Sequence, residues 1–347
     1  VGPACGPAAW MLQKPSFEKL RRPSPWAVHG ALILAQVLFG GGSVVGKLGV
    51  HKFNPMLFAL IRECCAGPIL LALAVAFDGR VLPYRGDWPL IFVMGLCVVM
   101  NQALFIIGDK LAGPIIGSAW QCSQPIMALM ISVALGWEKI TNGKLSGILL
   151  SVVGGGFLVC YGQSLQSSEA MGNLLLAINC LATALYVIFS KIALQRYPPL
   201  TITAWAAMVA CFIMVVVATS ANSHCGFVNF VCPEDPNEAM FRCHSYRNSC
   251  SPWAVPDTAI LPLAYWIGCT SITGHFLITW ANRHARAGYI LAYAAIQPFT
   301  STVVTVILIL CGVHGLKMPG WNALGIVGIL MGLFLLVLDG KKQHEAD

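Results

Sequence analysis

Arg62 and Glu63 stand side by side inside an otherwise apolar run, residues 55–77. A guanidinium there could hold an anion or a carboxylate, and a carboxyl could carry a proton. Both are costly in hydrocarbon unless they pair or face water. Adjacent residues on a helix point about 100° apart, so the two cannot simply neutralise each other. That leaves two readings: Arg62 as a solute contact with Glu63 as a proton carrier, or each as a tie to a neighbouring helix. His275, in a later apolar run, is a second group for proton coupling, set against the plainer role of a buried hydrogen bonder.

Amides and rings supply the other polar contacts. Gln36, Asn101, Gln102, Gln124 and Gln297 lie in apolar runs, and Trp120 and Tyr293 could stack on a planar solute. Gln124 and Gln297 each precede a proline, Pro125 and Pro298, which removes a backbone hydrogen bond and bends a helix. The two glutamines are therefore expected to line a cavity, with interhelical bonding as the alternative. Gln36, Gly40, Ser43 and Lys47 recur at helical spacing on one face, as a packing seam or a pore lining. The chain has no phosphate-binding glycine loop with lysine, no Gly-x-Ser-x-Gly and no His-Glu-x-x-His. No catalytic residues, metal or cofactor are expected.

The elements that must carry these groups are legible in composition. Of the 347 residues, 57% are hydrophobic and 10% charged, with a mean hydropathy of +0.73; an ordinary soluble domain has about 25% charged residues. Runs long enough to cross a bilayer recur at 28–46, 55–77, 88–108, 113–135, 145–162, 171–190, 199–220, 258–281, 288–311 and 321–338. They are apolar nearly all round rather than alternating, which predicts an all-α integral membrane protein of ten transmembrane helices and excludes a membrane β-barrel. If the N-terminus is cytoplasmic, fourteen lysines and arginines fall inside and six outside, so both termini are expected in the cytoplasm. The first run is long and lacks a small-residue cleavage site, so it reads as a signal anchor, and Met11 is a candidate start.

Nine of the fourteen cysteines sit in expected spans, as small apolar residues. Cys225, Cys232, Cys243 and Cys250 are set apart in the one long break, 221–257. That break falls on the outer side by charge, so two disulfides are expected, with connectivity open. A zinc site with His224 or His244 is the rival, but the paired Cys-x2-Cys spacing is missing.

The chain also matches itself. An offset of 144 aligns Lys47, Phe53 and Pro55 with Lys191, Tyr197 and Pro199, and an offset of 173 aligns Trp120 and Gln124-Pro125 with Tyr293 and Gln297-Pro298. The unit is five helices, and an odd number forces the two copies to enter the membrane in opposite senses, the inverted-repeat design of many secondary transporters. The expected layout is a cytoplasmic tail 1–27, a first repeat 28–162, a second repeat 171–338 containing the outer loop 221–257, and a tail 339–347. Alternating access by a small organic metabolite, without ATP and with proton coupling open, is the expected mechanism. A channel or scaffold is one rival, and it does not call for two inverted copies with paired bent helices. A membrane-embedded enzyme is the other, and it calls for a cluster of ionisable groups at one depth, which the sequence lacks beyond Arg62 and Glu63.

With Gln36, Gly40 to Gly42, Lys47, Arg62, Asn101-Gln102, Gly108, Pro125 and Glu138-Lys139 in the first half, and Lys191, Pro298 and the glycines of the last span in the second, the chain resembles the drug/metabolite transporter superfamily. The resemblance is to its EamA-type members and the walls-are-thin-like plant branch, over about residues 28–338. It implies ten helices, with spans 1–4 and 6–9 around a central cavity and spans 5 and 10 outside. It also implies cargo among amino acids, auxin-like acids, nucleobases, sugar-linked nucleotides and drugs. Two features depart from the family pattern: Glu138 has no acidic counterpart in the second half, and the four-cysteine loop is not a general family feature. The partners expected are a small-molecule solute and the lipid bilayer, with a homodimer left open and no nucleic acid; which membrane holds the chain is also open.

Overall fold

The computed structural model describes residues 23–50, 53–78, 82–134, 141–160, 167–224, 226–228, 253, 255, 257–285, 290–291, 293–313, 316, 320–328, 330–332, 334–335 and 338. Every regular element among them is helical. Local chemistry explains where the helices start. Ser24 caps α1 (Pro25–Val50), its Oγ accepting from Ala27 N–H at 3.3 Å, with Pro25 in the first helical position, where the missing N–H costs nothing. Asn54 caps α2 (Pro55–Asp78) by accepting from Met56 N–H at 3.0 Å. A 3-10 turn, Arg85–Asp87, leads into α3 (Trp88–Ala112). Gly113, at φ 97°, ends α3 and turns the chain into α4 (Pro114–Trp120); few residues other than glycine adopt that conformation.

The fourth expected span is broken. A 3-10 turn at Gln121–Ser123 separates α4 from α5 (Gln124–Ala134), so Pro125 falls in the first turn of a new helix, where proline is tolerated. The ninth span repeats the device: a 3-10 turn, Tyr293–Ala295, precedes the helix that carries Pro298. Between them lie α6 (Asn142–Cys160), α7 (Ser167–Ala193) and α8 (Pro199–Ser223). The eighth span is α9 (Ile260–Tyr265), a π-helical stretch Trp266–Gly274, and α10 (His275–His284). It is followed by α11 (Ile296–Leu310) and a final 3-10 turn, Trp321–Leu324.

Six of these stretches are long and apolar enough to cross a membrane: Pro25–Leu48, Pro55–Asp78, Arg85–Ala112, Ala170–Ala193, Pro199–Ser223 and Ile260–His284. The other four expected runs carry helix in shorter pieces, as in α4 with α5, or in incompletely described ones.

The centre is built by α3 packed on α7 and α8, and by α2 packed on α8. The α1 helix packs on α11 and on the α9–α10 span, and α6 packs on the turn at Trp321–Leu324. Met94, Val98, Ala103, Val187, Ala206 and Ala210 are buried together at this centre. Small residues permit the close approach. A Cβ at Gly95 would lie 2.5 Å from Val209 Cγ1, and one at Gly40 would lie 2.7 Å from the Gln297 carbonyl oxygen and 2.9 Å from Thr300 Cβ. Gly40 thus belongs to the α1–α11 seam. Gly40→Leu is expected to cost about 1–3 kcal/mol through overpacking, read as a lower melting temperature of the detergent-solubilised protein. Large apolar side chains also face outward, among them Phe77, Phe92, Phe212, Val216, Phe299 and Leu310, as a surface in contact with hydrocarbon requires.

Candidate functional site

A cavity of about 10 Å³ lies where α2, α3, α7, α8 and the eighth span meet, room for about one water. Its polar lining is Glu63, Gln102, Tyr186, Thr203, Ser271 and His275. Three of these, Glu63, Gln102 and His275, are among the residues singled out from sequence, and the fold brings them together from three helices. Tyr186 and Thr203 were not singled out, since neither is unusual for its own helix and only the packing of α7 and α8 on α3 places them here.

Arg62 is turned away from the cavity toward Trp266, its guanidinium carbon 4.6 Å from the ring centroid. Trp266 is fixed in turn by donating from its indole nitrogen to the Gly42 carbonyl at 2.8 Å. Arg62 and Glu63 are each 1% exposed, and Nε approaches Glu63 Oε1 at 3.4 Å, without the geometry of a hydrogen bond. The adjacent pair therefore meets at the edge, closer than 100° spacing alone suggests, yet neither is satisfied. Arg62 Nε and Nη2, Glu63 Oε1, Gln102 Oε1 and Ser271 Oγ all lack hydrogen-bond partners. Buried polar groups are nearly always paired, so such a concentration of open donors and acceptors calls for a reason. His275 is held by Nδ1 against the Thr270 carbonyl at 3.0 Å and packs edge-on to Phe39.

The other sequence candidates lie elsewhere, engaged with one another. Gln297 Nε2 donates to Gln36 Oε1 at 2.5 Å, and Tyr293 bonds to His29. Trp120 donates to Asn173 Oδ1 at 2.8 Å. Gln124 donates to Gln121, which donates to Asn179 Oδ1 at 2.9 Å, while Asn179 Nδ2 donates to the Asn101 carbonyl at 2.5 Å and Asn101 Nδ2 donates to Thr183. The chain of amides ties the break between α4 and α5 to α7 and α3. Gln121→Leu is expected to destabilise by about 1–3 kcal/mol, because it leaves buried Asn179 Oδ1 with only the weak Cys180 thiol donor at 3.7 Å; thermal unfolding in detergent measures it. The outer-loop cysteines Cys225, Cys232, Cys243 and Cys250, like Glu138, lie outside the described residues.

Both ends of the bundle are tied. Where α2 ends and α8 begins, Thr201 donates its N–H and hydroxyl to Asp78 Oδ2 at 3.0 and 2.7 Å. Nearby, Arg196 Nη1 and the Tyr197 hydroxyl donate to the two oxygens of Asp87 at 2.8 and 2.6 Å. Lys191 donates to the carbonyls of Asn282 and Ala285, which close α10. At the opposite end, Asn54 Nδ2 donates to Asn222 Oδ1 at 2.7 Å, and Lys47 donates to the Lys110 carbonyl at 2.9 Å.

Residues 26–160 match the EamA-like transporter family. The chain is 24% identical to an uncharacterized transporter of Archaeoglobus fulgidus, over 50% of this chain and 60% of that protein. It is 23% identical to a WAT1-related protein of Arabidopsis thaliana, over 90% of this chain and 85% of the other. The match thus spans about 60% of the archaeal relative and most of the plant one. A solved crystal structure, 14% identical, superimposes with a TM-score of 0.59 over 92% of this chain and 97% of the other, a likeness of fold.

Proposed function

Because residues 26–160 match the EamA-like transporter family, we propose that the chain is a member of it and a secondary transporter of a small organic metabolite working by alternating access. The observation that carries the reading is the small cavity with the unsatisfied polar groups of Glu63, Gln102 and Ser271 on its wall and Arg62 next to Glu63, lying between side-chain ties at both ends of the bundle. Such a site offers a proton-carrying group through Glu63 or His275, and an anion or carboxylate contact once Arg62 swings from Trp266 toward the cavity. Solute entry requires one set of end ties to open while the other holds.

The packing supports two inverted five-helix halves. Exchanging spans 1–5 for spans 6–10 turns the α3–α7 contact into that of the eighth span with α1, and leaves α2–α8 on itself. It also exchanges the two lysine caps, Lys47 for Lys191, and the two end ties, Asn54–Asn222 for Asp78–Thr201. The two near-equivalent halves supply the two packings that alternating access requires. On this reading both termini are cytoplasmic, and the four outer-loop cysteines form two disulfides.

The test is an uptake screen in proteoliposomes against pools of amino acids, organic acids and nucleobases, with and without an inward proton gradient. Saturable uptake of at least one pool is the expected result. Failure of every pool to enter or exchange would overturn the proposal.

A further inference from the structure

Asp109, in the last turn of α3, is 1% exposed, and neither of its carboxylate oxygens has a hydrogen-bond partner. It is not beside the cavity but at the end of the bundle where Lys47 closes α3 by donating to the carbonyls of Asp109 and Lys110. One oxygen is turned toward Gly117 on α4, close enough that a Cβ there would come within 2.5 Å of Oδ1.

The matching corner at the other end shows what this position does when satisfied. Asp109-Lys110 stands 173 residues before Asn282-Arg283, the offset that aligns Gln124-Pro125 with Gln297-Pro298, and Lys47 stands 144 before Lys191. Lys191 closes α10 as Lys47 closes α3. Asn282, in the place of Asp109, donates its amide to the Val187 carbonyl at 2.9 Å and to Ser190 Oγ at 2.6 Å, binding α10 to α7. The residues matching Val187 and Ser190 at the 144 offset are Ser43 and Gly46 on α1. An ionised carboxylate can only accept hydrogen bonds, whereas a protonated one carries a donor. Asp109 with a proton has nearly the shape and donor of the asparagine and can offer α1 the bond that Asn282 gives α7. Without the proton it presents two acceptors to a backbone carbonyl.

We infer that Asp109 is a proton-binding site, separate from the central cavity, whose occupancy sets whether α3 closes against α1 at that end of the molecule. Lys47, from α1, is the charge that acts on Asp109, and Lys110, buried beside it, in turn feels Lys47. From α4 the facing residue is Gly117, and α7 brings Gly172 and Leu176 to this part of α3, neither of them ionisable. Lys47, a cation acting on the carboxylate from α1, disfavours a metal cation there, which leaves the proton as the ligand. As a coupling ion it rests on the transporter reading; the proton site itself does not.

The purified protein tests the site without any solute. Infrared difference spectra between mildly alkaline and mildly acidic buffer are expected to show a protonated-carboxyl band that disappears in Asp109→Asn and survives in Glu63→Gln. Asn282→Asp is expected to add a second such band. Because the Asp109→Asn side chain is the one position 282 already carries, that variant is expected to elute as a monodisperse helical protein. In proteoliposomes, Asp109→Asn is expected to lose stimulation by a proton gradient while keeping exchange without one. A carboxyl band undiminished in Asp109→Asn, with Asn282→Asp adding none, would overturn the site. Loss of the band together with gradient stimulation equal to the native protein would overturn its coupling role. If the band behaves as expected but no solute enters native proteoliposomes, the proton site stands and the transport reading falls.

Discussion

Replacing Arg62 by Met together with Glu63 by Gln is expected to cut solute uptake about 10- to 100-fold, the value of one charge-assisted hydrogen bond to the solute. It should leave the melting temperature unchanged or higher. The two observables separate solute contact from structural tie. Each side chain is 1% exposed and their closest approach, 3.4 Å, is not a hydrogen bond. Burying two such charges costs several kcal/mol per ion, and neutral groups of similar volume commonly replace a buried pair at no loss or with a gain in stability. A structural tie predicts the opposite, a lower melting temperature with uptake falling only as folded protein is lost. Glu63→Gln alone is expected to retain solute affinity, measured as the concentration giving half-maximal exchange.

The second large effect is expected at Asp87. Its two oxygens take the Arg196 guanidinium and the Tyr197 phenol, while that phenol oxygen also accepts the Tyr84 N–H at 2.9 Å. An Asn at this position keeps one acceptor and turns an N–H₂ toward a donor. The loss, about 1–2 kcal/mol, should raise opening of this end about 5- to 30-fold. Faster amide hydrogen exchange over residues 84–88 and 194–199, with the far end unchanged, is the readout; equal exchange in both proteins would show that these bonds do not hold the end shut. Burial, with the bond to Asp87, pushes the Tyr197 phenol up to about 12 from its ordinary value of about 10. A raised value means the neutral phenol is the form the folded chain favours. Its contribution is therefore complete below about pH 10 and is lost as pH climbs toward about 12. Tyr197→Phe removes both bonds and should therefore lower stability at neutral and acidic pH by the contribution the phenol makes there, while flattening the alkaline loss.

Charge in hydrocarbon is conspicuous, and for that reason Arg62 and Glu63 could be picked out from sequence, as could the proline breaks at Gln124 and Gln297. What each amide does was not legible. Asn101 and Gln102 are neighbours with equal claims, yet Asn101 reaches Thr183 and Gln102 faces the cavity, a choice made by how α3 is rotated against α7. Asp109 was passed over because hydropathy ends the third span at 108. The helix runs on to Ala112, its exposed carbonyls taken by Lys47 from another helix. The Asp87 ties join residues about 110 positions apart, and no local pattern announces them.

The stretch Trp266–Gly274 winds with hydrogen bonds one residue longer than the helices on either side. The same longer reach recurs in its side chains, from Thr273 to the Gly268 carbonyl and from His275 to the Thr270 carbonyl. Trp266, at one end, is pinned to α1, and Asn282, beyond the other, is pinned to α7. A rod clamped at both ends and wound slack between them can take up one residue of winding without either clamp letting go. Each residue taken up would swing Ser271 and His275 about the rod by roughly 100°. A twist of the eighth span on its own axis would thus change which of its side chains face the cavity, with both clamps still in place.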